Sequence, residues 1–236
     1  MTRSPTWRIW NCAFYDFVIY FMGGMVGLYW DDKQIAGRHN APLSGPLLIV
    51  CNHLNVSDPW FVAHAIPRRV HFMAKREAFA SGFVGWGLRN AGTFPVDREG
   101  ADTGAIRTAI GILDGGGAIC MFPEGTRSRS RVLSKPHPGA AYLALRSQAP
   151  VLPIAICGTE EITLPRMPGP TPAHVRVAIG APFRLDRPDG VRASEVYERA
   201  GHEIMRRIGE LLPKRYRGTY ADADEQCAPV AVAARG

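Results

Sequence analysis

The stretch Pro46-Leu-Leu-Ile-Val-Cys-Asn-His-Leu-Asn-Val-Ser-Asp-Pro59 decides the reading of this chain. Its first part, Pro46-Leu-Leu-Ile-Val50, is uncharged and apolar, the pattern of a buried strand. Beyond it, Pro59-Trp-Phe-Val-Ala-His-Ala-Ile66 reads as a helix, with Asp58 at its N-cap and Pro59 at its first position, where each is favoured. His53 then leaves a strand end while Asp58 opens a helix. In an open α/β sheet the carboxyl ends of the strands are where ligands bind. Residues five apart on one helix point about 140° away from each other, so only a strand–turn–helix bend can bring this carboxylate to this imidazole. A carboxylate on one ring nitrogen fixes the tautomer and leaves the other nitrogen as a base. A capping Asp beside a core His is the plainer reading of the same two residues.

Working outward, strand-like and helix-like runs alternate. Val70–Ala74, Ala118–Phe122, Val151–Ile156 and Val175–Ile179 read as strands. Glu77–Asn90, Thr103–Leu113, Gly139–Arg146 and Ser194–Leu212 read as helices, the last with Val196, Ile204, Ile208 and Leu211 inward. Thr93-Phe-Pro-Val96 carries a proline, which confines it to a sheet edge or a loop. This alternation predicts an α/β fold: a single domain with a mostly parallel or mixed sheet flanked by helices. Its bounds are drawn at 41–220, after an N-terminal membrane-associating segment and linker at 1–40 and before a tail at 221–236 whose small polar residues predict disorder. The segments 165–172 and 181–188 are proline-rich and read as loops.

With 236 residues, nearly half of them hydrophobic, the chain suits one domain with a sizeable core. Twenty-eight basic against 21 acidic residues leave a formal charge of +7, spread without a long basic block. That pattern favours an anionic lipid surface or a phosphate-bearing substrate over nucleic acid. Five widely spaced cysteines with no C-x-x-C predict a reducing compartment, no disulfide and no metal. Trp10 to Trp30 is apolar except for Asn11 and Asp16 and is long enough to cross a bilayer, which takes about 20 residues. Asp16 near its middle would cost about 2.5–3.5 kcal/mol there, and Trp7, Trp10, Tyr29 and Trp30 suit an interface. The segment is therefore expected to lie in one leaflet rather than span; a helix packed on the domain is the plainer alternative.

Three turns after strands carry basic residues: Ala74-Lys-Arg-Glu77, Gly92-Thr-Phe-Pro-Val-Asp-Arg98 and Phe122-Pro-Glu-Gly-Thr-Arg-Ser-Arg129. Arginine meets phosphate oxygens bidentately and turn amides add donors; any one alone reads as a solvated cation. Cys51 is the rival nucleophile, since residues two apart on a strand face the same side and a thiolate–imidazole pair is a credible covalent site. A buried, inert cysteine is the plainer reading.

These residues resemble the glycerolipid acyltransferase family, of the bacterial 1-acyl-glycerol-3-phosphate type. Asn52-His53-x4-Asp58 resembles its N-H-x4-D block, Gly92–Arg98 a second block ending in a phosphate-binding arginine, and Phe122-Pro-Glu-Gly-Thr-Arg127 its most specific string, here intact. Val151-Leu-Pro-Ile-Ala155 resembles a fourth block, with Pro153 in place, and Lys135-Pro-His-Pro-Gly139 a lysine-and-glycine turn. Asn55 stands where the family commonly has serine. The resemblance covers roughly 46–220. It implies transfer of an acyl chain from acyl-CoA or acyl carrier protein, as co-substrate rather than cofactor, to the sn-2 hydroxyl of 1-acyl-glycerol 3-phosphate, making phosphatidic acid. His53 would be the base and Asp58 its partner, with direct attack on the thioester. Lys75, Arg98 and Arg127 would grip the phosphate, Glu124, Gly125 and Thr126 would shape the turn, and Pro153 would position the thioester or acyl chain. The implied place is the cytoplasmic face of the cell membrane, peripheral or monotopic. A sister enzyme acting on glycerol 3-phosphate, another lysophospholipid or a lyso-aminolipid, and a non-catalytic lipid-binding protein, are the alternatives.

Overall fold

A computed structural model of the chain describes residues 12–27, 34–97, 102–162 and 174–221. Seven strands form one mixed sheet in the order β1-β7-β6-β2-β5-β3-β4. β2 (Leu47–Cys51), β3 (Val70–Lys75), β4 (Thr93–Val96), β5 (Ala118–Met121) and β6 (Val151–Cys157) run parallel. β7 (Arg176–Ile179) is antiparallel to β6, and β1 (Ile35–Ala36) follows β7. β1 falls inside the stretch read as linker from sequence: two residues are too few for a period, so Ile35 and Ala36 gave no signal. With β1, the sheet begins before the boundary drawn at 41. β4 is the edge strand its Pro95 requires.

Every residue of β2 is buried, because both faces of the sheet are covered. Leu47, Ile49 and Cys51 pack with Phe61 and Val62 of α2 (Asp58–Ala65). Leu48 and Val50 pack with Ile112 of α4 (Thr103–Asp114), Leu143 of α5 (Pro138–Ser147) and Ile204 of α6 (Ala193–Leu211). Each such aliphatic side chain contributes about 1.5–3 kcal/mol by leaving water. The run read as one helix over 77–90 is divided: Arg76–Phe79 form a 3-10 turn and α3 spans Gly82–Asn90. The interruption falls at Ala80-Ser81, just before the glycine-rich half where helix propensity is lowest. A short α7 (Lys214–Arg217) and a 3-10 turn over Gly218–Tyr220 close the chain's described end.

α1 (Cys12–Gly27) lies on the domain. The Tyr15 hydroxyl accepts the Val70 backbone N–H at 3.1 Å, Ile19 packs on the α2 side of the core, and Asp16 pairs with Arg69 at 2.7 Å. Asp16, costly in a bilayer, is thereby accounted for at a half-exposed protein surface. Among the described residues no helix is long and apolar enough to cross a membrane. Trp7, Trp10, Tyr29, Trp30, the 165–172 segment and the tail from 222 lie outside the described residues.

The connections place the site. The chain leaves β2 toward α2 on one face and leaves the adjacent β5 toward α5 on the other. Two neighbouring parallel strands whose exits diverge open a crevice at their carboxyl ends, and His53 and Phe122–Arg127 are those exits.

Candidate active site

Asn52 ends the strand. Its side-chain amide donates to Ile156 O and accepts from Ile156 N, both at 2.8 Å, so a side chain serves as the last rung against β6 while its own backbone turns away. His53 follows, 13 % exposed, its Nδ1 2.7 Å from Asp58 Oδ2. Asp58 is fully buried. The same Oδ2 accepts the backbone N–H groups of Leu54 (2.7 Å) and Asn55 (2.8 Å), and Oδ1 accepts the Thr159 hydroxyl at 2.6 Å. Asp58 therefore caps its own preceding loop rather than the helix; the residue at the helix N-cap is Ser57. Those amides can only donate, so the carboxylate only accepts, and Nδ1 of His53 carries the proton. Nε2 is left as a lone-pair base. The imidazole stacks on Phe122 with ring centroids 4.1 Å apart, which fixes its plane.

The β5 exit grips His53 from the other side. The His53 N–H donates to Glu124 Oε1 at 3.1 Å and its C=O accepts from Ser128 N at 2.7 Å. Glu124 is itself buried; Oε2 takes the Ser134 N–H (3.1 Å) and hydroxyl (2.8 Å). Burial pushes the Glu124 carboxyl up from its ordinary range, against the opposing pull of these donors. Gly125 turns the chain at φ +66, donating its N–H to Phe122 O at 2.9 Å, and a Cβ there would fall 2.5 Å from the His137 ring. Thr126 and Arg127 then emerge exposed, and Arg127 has no ion pair or hydrogen bond among the described residues.

Lys75 ends β3 at the same rim, exposed, with Nζ 3.4 Å from Glu77. Strands in a sheet lie about 4.8 Å apart, so the β2, β5 and β3 exits form a row of about 10 Å with Lys75 at its β3 end, and the Ser128 N–H on His53 O holds the segment that carries Arg127 beside His53. β4 extends that row, but Arg98 itself lies outside the described residues. Pro153 is not brought to this group. It is buried in β6 opposite Val50, about 10 Å down the sheet from the level of His53, where its ring packs against Gly180. Asn55 bridges the loop, donating to Ile162 O at 3.0 Å and accepting from Ser57 N and Oγ at 3.1 Å.

Cys51 is fully buried, and burial pushes its thiol well above the ordinary range, which counts against a nucleophilic role. The chain leaves the strand at Asn52, which breaks the alternation that would have put Cys51 and His53 on one side. Among the described residues no group of three or more His, Cys, Asp or Glu side chains could hold a metal ion. Ser134, Thr159 and the role of Asn52 as a clamp escaped the sequence reading. Ser134 and Thr159 are distant in sequence from His53, Asn52 is adjacent to it but binds Ile156, 104 residues away, and only Thr159, two residues past a strand end, carries a positional hint.

Residues 33–157 match the acyltransferase family model. The chain is 33 % identical over 126 residues to a 1-acyl-sn-glycerol-3-phosphate acyltransferase of Bacillus subtilis, covering 53 % of this chain and 62 % of that one. It is 32 % identical over 148 residues to the enzyme of the same name from Streptococcus pneumoniae, covering 60 % and 54 %. The chain thus spans little more than half the length of these relatives. The crystal structure of the 1-acyl-sn-glycerophosphate acyltransferase PlsC from Thermotoga maritima has the same fold, with a TM-score of 0.60 at 24 % identity over 84 % of this chain and 79 % of that one.

Proposed function

This chain belongs to the acyltransferase family, and we propose that it moves an acyl chain from a thioester, of coenzyme A or acyl carrier protein, to the sn-2 hydroxyl of 1-acyl-glycerol 3-phosphate. The observation that carries this is the His53–Asp58 contact at 2.7 Å with Nε2 left over, with exposed Lys75 at the end of β3 and exposed Arg127 beyond the end of β5. His53 Nε2 takes the proton of the acceptor hydroxyl as its oxygen attacks the thioester carbonyl. The tetrahedral intermediate collapses by expelling the thiolate, which recovers that proton from the imidazolium. Base catalysis of this kind contributes about 10²–10⁴-fold; holding acceptor and thioester together contributes further. Arg127 and Lys75, with Arg98 that follows β4 by two residues in sequence, hold the acceptor phosphate. Glu124 and Gly125 hold His53 rather than the substrate. The names of the relatives support the acceptor, and the exposed cations support its phosphate.

The acceptor is met at a lipid surface, on the cytoplasmic face. Phe17 and Phe21 on α1 and Phe83, Val84 and Trp86 on α3 are each half-exposed or more, and a Phe14–Trp86 edge contact at 4.7 Å joins the two helices. An exposed aromatic face of this kind marks an interaction site, and the +7 charge suits anionic lipid. An acceptor panel with acyl-CoA tests the reading. 1-Acyl-glycerol 3-phosphate should outrun glycerol 3-phosphate and a phosphate-free lyso-aminolipid; equal rates would remove the phosphate assignment. Phe83→Ser/Trp86→Ser should weaken co-sedimentation with anionic vesicles, and unchanged binding would remove the α3 contact.

A further inference from the structure

Thr159 sits two residues beyond the segment matched to the family. It is fully buried, and its hydroxyl is the one donor among the described residues to Asp58 Oδ1, at 2.6 Å. The other oxygen, Oδ2, already takes three donors. A carboxylate torsion is broad and roughly two-fold, so unequal loading of the two oxygens is what holds Oδ2 toward the imidazole. We propose that Thr159 is a positioning residue for acyl transfer: it engages Asp58 Oδ1 and so aligns Oδ2 with His53 Nδ1 and Nε2 with the acceptor hydroxyl.

The turn around Thr159 is built to present it. Gly158 stands at φ +93, where a Cβ would fall 2.4 Å from His174 O, so only glycine fits. Its N–H donates to Glu160 Oε2 at 2.9 Å, and Glu160 Oε1 accepts the Tyr216 hydroxyl at 2.5 Å, fastening the turn to α7. Thr159 O accepts Ile162 N at 3.0 Å, and Ile162 O accepts the Asn55 amide at 3.0 Å. The turn after β6 therefore clasps the His53–Asp58 loop at two points, one on the catalytic carboxylate and one on the loop backbone through Asn55. A residue needed only for packing would require neither the hydroxyl nor its direction.

The test compares the full-length wild type with Thr159→Val, Thr159→Ala and Thr159→Ser, and rests on the acyl-transfer reading for its kinetic half. A hydrogen bond to a buried charge predicts that Val and Ala lower kcat about 10- to 100-fold, with KM for acyl-CoA and 1-acyl-glycerol 3-phosphate within about twofold. Ser should recover most of the rate. In an Asp58→Ala background the Thr159→Val loss should vanish, because it acts through that carboxylate. The second half needs no turnover. In ¹⁵N-histidine spectra, with the His53 signal identified by its absence in His53→Gln, wild type should show the proton on Nδ1, and Val and Ala a mixture of tautomers. Ala keeps the question open to answer if Val does not fold. Rates within about twofold of wild type in Val and Ala, equal losses in Ser and Val, or an unchanged His53 tautomer would each overturn the proposal. An inactive wild type whose tautomer still responds to Thr159→Val would instead count against the acyl-transfer reading alone.

Discussion

Glu124→Gln separates holding His53 from holding substrate. The carboxylate accepts three donors, one from His53 and two from Ser134; an amide offers one oxygen. With that oxygen toward Ser134 the new NH₂ faces the His53 N–H across what was a 3.1 Å hydrogen bond, and with it toward His53 both Ser134 donors are lost. The first orientation costs less. It removes one charge-assisted hydrogen bond, about 1.5–3 kcal/mol, and leaves a buried donor unmet. Part of this is offset, because the burial that pushes the Glu124 carboxyl up already disfavours its charge. A net loss of about 1–3 kcal/mol in urea unfolding follows. Freed at its N–H, His53 shifts, and a displacement of about 1 Å at a reacting group costs on the order of 10² in rate. The assay is urea unfolding together with steady-state transfer at varied 1-acyl-glycerol 3-phosphate: kcat falls and KM stays. A raised KM at unchanged kcat would show that Glu124 grips the acceptor, and stability within about 0.5 kcal/mol of wild type would refute the hydrogen-bond reasoning.

Gly125→Ala should destabilise by about 2–5 kcal/mol, from a left-handed backbone and a Cβ pressed on the His137 ring. His137→Ser in the same chain should recover only the packing share in urea unfolding; full recovery would show that φ costs nothing. Burial pushes the His71 imidazole down to about 4, so the folded state binds fewer protons than the unfolded state between about 4 and 6.5. That stability is complete above 6.5 and is lost as pH falls toward 4, about 2 kcal/mol of it by pH 5. His71→Gln should flatten this part of the pH dependence, and parallel curves for the two proteins would contradict it. Cys51→Ala should keep its rate within about threefold while losing on the order of 1 kcal/mol of packing; an inactive Cys51→Ala protein would revive the covalent route.

The strands and helices were legible where a period ran long enough. β2 reads from its unbroken apolar run, α6 from Val196, Ile204 and Ile208, and the edge position of β4 from Pro95. β1 was hidden because Ile35 and Ala36 enter the sheet by pairing with β7, some 140 residues away. The bend at His53–Asp58 was legible because a strand pattern and a helix pattern meet across five residues. What tightens it was not. Thr159 reaches Asp58 from 101 residues away and Ser134 serves Glu124 from a loop with no periodicity. The thiolate–imidazole pair weighed for Cys51 rests on strand alternation, and the strand ends at Cys51, two residues before His53; the plainer reading, a buried cysteine, agrees with its full burial. Asp16 was weighed against lipid, whereas its partner is Arg69.

The most direct test is acyl transfer from acyl-CoA to 1-acyl-glycerol 3-phosphate by the purified wild type and by His53→Ala, in detergent or lipid. Wild type should form phosphatidic acid, and His53→Ala should lose at least about 10²-fold of that rate. Equal rates from the two proteins would contradict His53 as the base, and with it the reading of the whole site.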